Sequence, residues 1–365
     1  MNQKSRKLIF SFRRVSLITT VAVFFLILVG GIVRSTGAGM GCPDWPKCFG
    51  SWVPPTSVDQ LPKNYAEIYV AQRVEKNERF ASLLDNLGFS VLAAQIEQDE
   101  SILDHEPFNA TKTWIEYVNR LLGAVIGLLI ILTFVYSLRL WKIDPYSTLL
   151  AFLALVVVVF QGWLGSIVVS TNLLQWMISV HMIVALLLVC LLLYIYFRSG
   201  TLIEASGQGS IPRVRRQVRY RWLLGVGILL MLAQVILGTQ VREHIDLIAS
   251  RFDYSDRYAW IAELGTVFYV HRSFSLVLLA LHGYLVFRAY QERDRLPDVF
   301  RQLALLLGLL LIVILTGILM AYFGIPAFIQ PLHLLLGSLI VGIQYYVWLK
   351  LGCSQVRTNK NFALV

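Results

Sequence analysis

The chain has 365 residues, of which 57% are apolar, 15% charged and 12% aromatic, and its mean hydropathy is +0.65. That composition excludes a disordered chain and a water-soluble globule and indicates a membrane protein. With 32 basic against 22 acidic residues the formal charge is +10, a balance whose meaning depends on where the basic residues lie.

A bilayer core about 30 Å thick needs roughly 20 apolar residues at 1.5 Å rise each. Eight stretches reach that length, near 15–33, 114–137, 147–169, 175–197, 222–241, 266–287, 302–322 and 328–349. The expectation is an all-α polytopic membrane protein with eight transmembrane helices in two similar four-helix bundles. An even count puts both termini on one side. The N-terminal tail, the connection with Arg139 and Lys142, the Arg198 to Arg221 and Arg288 to Arg301 segments and the C-terminal tail hold 20 of the 32 basic residues. All five fall on that same side, which the positive-inside bias makes cytoplasmic. The charge then reflects a membrane surface and requires no nucleic-acid partner. The layout is a basic tail over 1–14, a first half over 15–197, a basic linker over 198–221, a second half over 222–349 and a tail over 350–365. The first span has the basic flank of a signal peptide, but its apolar run is too long for one.

The outer loops are unequal. Residues 35–113 form the longest, with 11 acids against 6 bases. Within it Tyr65 to Gln98 reads as one or two amphipathic helices, with apolar residues at Leu83, Leu84, Leu87 and Val91. A helical cap over the outer ends of the bundle is the expected arrangement.

The chain carries an internal duplication. Gly30-Gly31-Ile32-Val33-Arg34 closes the first span and Gly238-Thr239-Gln240-Val241-Arg242 the fifth, 208 residues later. Tyr117-Val118-Asn119-Arg120 opens span two and Tyr269-Val270-His271-Arg272 span six, 152 residues later, an offset shared by His181 and His333 and by Gly165 and Gly317. The difference of 56 is the extra length of the first outer loop. Two halves of four spans keep the same orientation, and the repeat gives the first span a counterpart that an excised peptide would not need.

His181, His271 and His333 each sit within the first two turns of a span that starts at the outer face, and Asn119 occupies the fourth equivalent place. Each histidine taken alone reads equally as an interfacial residue bonded to a neighbouring helix. Paired in one half, His271 and His333 supply two imidazoles on facing helices, a geometry that holds haem. Such an iron has no vacant position and suits electron transfer. In the first half His181 faces Asn119, whose amide is a poor iron ligand, so one face of an iron there stays open. Glu116 projects from the same helical face as Asn119, with a helix-dipole partner as the plain alternative. Arg120 and Arg272 are candidates for pairing with haem propionates or for reaching lipid headgroups. His282 reads as a buried, hydrogen-bonded histidine, and His105 and His244 as loop residues. Gly123 and Gly127 read as ordinary helix packing.

Cys42 and Cys48 flank Pro43-Asp44-Trp45-Pro46-Lys47 in a compartment that is oxidising if the orientation is right. A disulfide there reads as a structural staple in preference to a redox couple, because the spacing departs from the thioredoxin-like motif. Cys190 and Cys353 read as free thiols.

The run from Gly30 to Gly39 followed by Cys42-Pro43-Asp44-Trp45-Pro46-Lys47-Cys48-Phe49-Gly50 closely resembles the signature of haem A synthases, enzymes of cytochrome oxidase assembly. The resemblance covers essentially the whole chain, including the Glu-x-x-ligand-Arg element at Glu116 to Arg120 and the His271-Arg272 element. It implies an enzyme that oxidises a ring methyl of haem O to a formyl group by successive hydroxylations, with haem b as redox cofactor. It further implies His271 and His333 as axial ligands of haem b, His181 as an axial ligand of the substrate haem O, Glu116 as the carboxylate of the oxidation, and Cys42 with Cys48 as an outer-loop disulfide. The sequence departs from the family pattern at Asn119, where a fourth histidine is usual. The expected partners are haem O, membrane lipid, haem O synthase and other assembly factors, and an electron donor the sequence does not identify. The expected site is the bacterial cytoplasmic membrane, given no transit-like extension. Competing readings are a b-type cytochrome carrying electrons from quinol, a two-repeat transporter and a disulfide oxidoreductase using Cys42 and Cys48.

Overall fold

The computed structural model describes residues 3–103, 107–205, 217–252 and 256–359. Its helices are α1 (Gln3–Ser35), α2 (Tyr65–Asn86), α3 (Ser90–Glu97), α4 (Ala110–Leu138), α5 (Pro145–Ser170), α6 (Gln175–Ala205), α7 (Gln217–Arg251), α8 (Arg257–Glu263), α9 (Thr266–Gln291), α10 (Pro297–Tyr322) and α11 (Ile329–Asn359). Among the described residues there is no strand, only an isolated bridge between Cys48 and Ser51. Eight helices, α1, α4, α5, α6, α7, α9, α10 and α11, are long and apolar enough to cross a bilayer, as in a multi-pass membrane protein.

Their packing follows the repeat. Helix α1 packs on α4 and α6, and α5 lies between α4 and α6; α7 packs on α9 and α11, and α10 lies between α9 and α11. Each set closes around its own apolar core, Phe12, Ile130, Leu186 and Ile195 in the first and Leu224, Leu278, Leu306 and Ile340 in the second. The two sets meet where α1 and α6 lie on α11 and where α6 touches α7. Buried hydroxyls are satisfied within this packing, as where Thr19 and Thr133 bond at 3.0 Å between α1 and α4. The duplication extends to helix ends. Pro145 and Pro297, 152 apart, both open their helices, a position where the missing N–H costs nothing. The turns after α5 and α10 both use two consecutive left-handed residues, Asn172-Leu173 and Gly324-Ile325, again 152 apart.

The helices outrun the apolar stretches that predict them. Helix α7 continues through Arg242, His244 and Asp246 to Arg251, so much of the expected outer loop 242–265 is helix, with α8 completing it. No glycine or proline interrupts that segment, and its side chains bond within the helix and to neighbouring ones. Linker residues 206–216 and His105 lie outside the described residues.

The long outer loop does form a helical cap, but of the apolar residues named above only Leu84 lies on its buried face. Helix α2 buries Tyr69, Arg73, Asn77, Phe80, Ala81 and Leu84, while Leu83, Leu87 and Val91 are exposed. Polar members of the buried face are there because they bond to carbonyls: Asn77 Nδ2 donates to Ser170 O at 2.6 Å and Arg73 Nη1 to Ile102 O at 3.1 Å. Phe80 packs edge-on to Trp163 of α5, ring centroids 6.0 Å apart. Gly88, at φ +86°, turns the chain from α2 into α3.

Candidate functional site

In the second set of helices, α9 and α11 bring His271 and His333 together with ring centroids 6.4 Å apart. A metal–imidazole bond is about 2 Å and each ring centre lies about 1 Å beyond its nitrogen, so two imidazoles sharing one ion stand roughly 6 Å apart. The pair fits that span. Among the described residues no three His, Cys, Asp or Glu side chains cluster to hold a bare metal ion. Two protein ligands suit an iron whose other donors come from a porphyrin.

The hydrogen bonds indicate which ring nitrogen of His333 is left free. Thr316 donates its one hydroxyl proton to Val313 O at 2.7 Å and lies 2.8 Å from His333 Nδ1. It must accept there, so His333 carries its proton on Nδ1 and presents a lone pair at Nε2. Gln234 donates to His271 O at 2.9 Å, holding α9 to α7 at that turn, and His271 Nδ1 is buried with no hydrogen-bond partner. Both rings lean on glycine. A Cβ at Gly238 would stand 3.2 Å from His271 Cε1, and one at Gly317 would stand 3.4 Å from His333 Cε1.

The first set repeats half of this. Gly165 backs His181, with an added Cβ 3.7 Å from Cε1, and Gln161 donates to His181 O at 3.0 Å. His181 Nδ1 and Asn119 Oδ1 are both buried without a partner. The Thr316 position corresponds to Leu164, so no hydroxyl holds the His181 tautomer.

Around Glu116 the structure builds an anchored loop. Cys42 and Cys48 form a disulfide with Cα atoms 4.9 Å apart. Asp44 closes the loop inside, its two oxygens accepting from the amides of Phe49 at 2.6 Å and Gly50 at 2.9 Å. Phe49 has φ +53°, uncommon for a bulky residue, and its ring is held edge-on by Tyr65, Tyr69 and Phe108 at 6.1, 5.3 and 5.5 Å. Burial, then the nearby Asp44 carboxylate, pushes the Tyr69 hydroxyl up to about 12. The loop rests on α4. Thr113 Oγ1 donates to Gly41 O at 2.8 Å, and a side chain at Gly41 would strike the Lys112 carbonyl at 2.6 Å.

Glu116 is buried; its Oε2 accepts from Cys42 N at 2.7 Å and its Oε1 from Arg120 Nε at 3.1 Å and Nη2 at 2.5 Å. The rest of the Arg120 fork donates to the carbonyls of Cys42 at 2.8 Å, Asp44 at 2.5 Å and Lys47 at 3.0 Å. A guanidinium has five N–H donors, and all five are used, so Arg120 grips the disulfide loop and has none to spare for a propionate. Arg272 is exposed and lies over the Tyr269 ring at 5.2 Å and the Phe268 ring at 5.8 Å.

The other histidines stand apart. His282 is buried, with Nδ1 2.8 Å from Leu278 O and Nε2 2.8 Å from Gln344 Nε2. His244, expected in a loop, lies on α7 with Nδ1 2.9 Å from Gln240 O. Cys190 is a free, half-buried thiol in α6. The sequence reading missed Thr316, which lacks a first-half counterpart, and Asp246, which joins the repeat-related Arg34 and Arg242 at 2.9 and 2.6 Å. The recurrence of an arginine at the ends of spans one and five was the available signal for the latter.

The chain is similar over nearly its whole length to two proteins named haem A synthase. That of Neorickettsia sennetsu is 25% identical over 356 residues, 91% of this chain and 97% of the relative. That of Wolbachia pipientis wMel is 22% identical over 348 residues, 90% and 89% of the two chains. The haem A synthase of Shewanella oneidensis is 24% identical over 221 residues, 60% of this chain and about half, 54%, of the relative. With matches over residues 13–80 and 93–345, the chain belongs to the COX15-CtaA family of cytochrome oxidase assembly proteins.

Proposed function

We propose that the chain is a haem A synthase, an oxidoreductase of the bacterial cytoplasmic membrane that converts a ring methyl of haem O to a formyl group by successive hydroxylations. The observation that carries this reading is the His271–His333 pair, at a separation suited to one iron and with the His333 tautomer set by Thr316. These two residues hold haem b, which supplies one-electron redox chemistry when bound. His181 holds the substrate haem from one side, and Asn119, which offers an amide where an imidazole would bind, leaves the other side accessible.

In this reading Glu116 faces the substrate haem from α4 and ties its position to the disulfide loop through Cys42 N and Arg120. The carboxylate is held by donors on both oxygens, so it serves as a fixed negative charge beside the reacting edge. The Cys42–Cys48 disulfide and the Phe49 cage keep that loop closed and water out of the site below. The outer loop and all three histidine positions then lie toward the outer face of the membrane.

The test is haem extraction and mass analysis of the purified chain made with and without a haem O source. Haem b alone without the haem O source, and haem b together with hydroxylated or formyl haem when the source is present, is the expected result. Haem b alone in both would instead identify a b-type cytochrome that carries electrons from quinol.

A further inference from the structure

A cavity of about 670 Å³ lies outward of the histidines at the junction of the two helix sets. The disulfide loop and α2 wall it on one side and the end of α7 with α8 on the other. Its floor includes Ile178 and Gln330, each three residues before a histidine, His181 and His333. At 1.5 Å rise per residue those histidines stand about one helical turn inward.

The cavity is strongly cationic. Among the described residues Arg34, Arg73, Lys112, Arg242 and Arg257 line it, together with the acid Asp246. Its centre holds the two repeat-related arginines. Arg34 donates to Gln175 Oε1 at 2.6 Å, and the matching Arg242 donates to Gln330 Oε1, each glutamine lying in the first turn of the helix that carries the histidine. Asp246 sits between the two arginines, Oδ2 on Arg34 at 2.9 Å and Oδ1 on Arg242 at 2.6 Å. The protein therefore displays how this place binds a carboxylate: one oxygen to each arginine, from opposite halves of the duplication. Asp246 against Arg34, Arg242 and Arg257 leaves a net positive charge among these side chains in a half-enclosed space, which favours an anion. Trp260, Ile245 and Leu173 add flat and apolar wall beside that charge, so the complementary ligand carries carboxylates on a broad apolar body.

We propose that this cavity binds the carboxylate edge of the substrate porphyrin, with Arg34 and Arg242 as its anchors and Asp246 as the internal carboxylate that occupies them otherwise. The assignment rests on the reading of haem O as substrate given above. Binding at this depth orients the ring with its carboxylates outward and its iron at the level of His181.

The test uses the full chain purified with its resident haem and titrated with haem O or with haem O dimethyl ester, which lacks both charges, followed by absorbance. The free acid is expected to bind about tenfold or more tightly than the ester, the scale of charge-assisted hydrogen bonds. The double variant Arg34→Gln/Arg242→Gln should bind the acid as weakly as the unaltered chain binds the ester, with resident haem content unchanged. Asp246→Asn removes the internal competitor and should tighten acid binding several-fold, a direction that a folding defect does not produce. Equal binding of acid and ester, or weaker acid binding by Asp246→Asn, overturns the proposal. So does displacement of haem O by inorganic phosphate or phosphatidylglycerol vesicles as effectively as by free-acid porphyrin, because the anion taken would then be a phosphate. If the acid is preferred but no haem A ever forms, the catalytic reading fails and this one stands.

Discussion

The two halves of the molecule share a frame and differ in a handful of side chains. Both place a histidine on their last helix against a glycine, His181 on Gly165 and His333 on Gly317, and both end their third helix in the same left-handed pair. The second half adds His271 opposite and Thr316 behind, which supplies the pair of imidazoles proposed as axial ligands and fixes a tautomer. The first half has Asn119 and Leu164 in those places and carries the Glu116–Arg120 clamp with its disulfide loop. A duplicated backbone thus presents the same histidine position twice. Single substitutions distinguish a permanent occupant from a transient one.

The largest effect should separate the halves outright. His333→Ala is expected to strip nearly all resident haem b from the purified protein, whereas His181→Ala should leave haem b in place and abolish haem O turnover. Loss of haem b from His181→Ala, read by the pyridine haemochrome spectrum, would reverse the assignment. Next is the clamp that only the first half possesses. Removing one partner of a buried ion pair costs about 3 to 5 kcal/mol, so Glu116→Ala should loosen the outer loop and make the Cys42–Cys48 disulfide reducible under mild conditions, with haem b retained and formyl product lost. Glu116→Gln can still accept from Cys42 N and should keep the disulfide protected; unchanged product from both variants would remove Glu116 from the chemistry.

Thr316→Val deletes the acceptor that orients His333, and loss of such a partner typically costs about 10- to 100-fold in metal-site affinity. Haem b should titrate in correspondingly more weakly, while the first half is unaffected. Asn119→His tests the converse by giving the first half a fourth imidazole. Haem O or its products should then co-purify in higher ratio to haem b, measured by extraction and mass analysis.

The smallest effect concerns acid. Asp144 stands just before α5, buried, where the second half has Leu296. Burial by itself would raise its carboxyl, but hydrogen bonds from Arg198 at 2.5 and 2.8 Å and from Ser147 outweigh that and hold it below its ordinary value. A depressed carboxylate contributes stability that is present above its unfolded value of about 3.9 and is lost as pH falls through the folded value. The first half should therefore loosen at more acid pH than neutral buffers reach, and Asp144→Asn should remove that part of the pH dependence, as hydrogen exchange in α5 and α6 would register.

Much of this architecture was legible in order of residues alone. Eight apolar runs of bilayer length specify eight crossing helices because a chain in lipid must satisfy its own backbone. The 152-residue recurrence of Gly-His and His-Arg positions paired the halves and singled out His181, His271 and His333. Helix ends were less legible: α7 runs to Arg251 because polar flanks extend a helix as readily as apolar ones do. The buried face of α2 also escaped pattern reading, since Arg73 and Asn77 turn inward to carbonyls that belong to distant segments.

Local sequence thus determined the helices, their number and the place of each histidine along its helix, since those follow from hydropathy and a fixed rise per residue. Tertiary structure alone decided that two imidazoles face each other at 6.4 Å, that Arg120 spends every donor on one loop, and that Asp246 lies between two repeat-related arginines. Such facts depend on the rotation of helices about their axes and on contacts between residues far apart in the chain. Only packing of the whole bundle sets those.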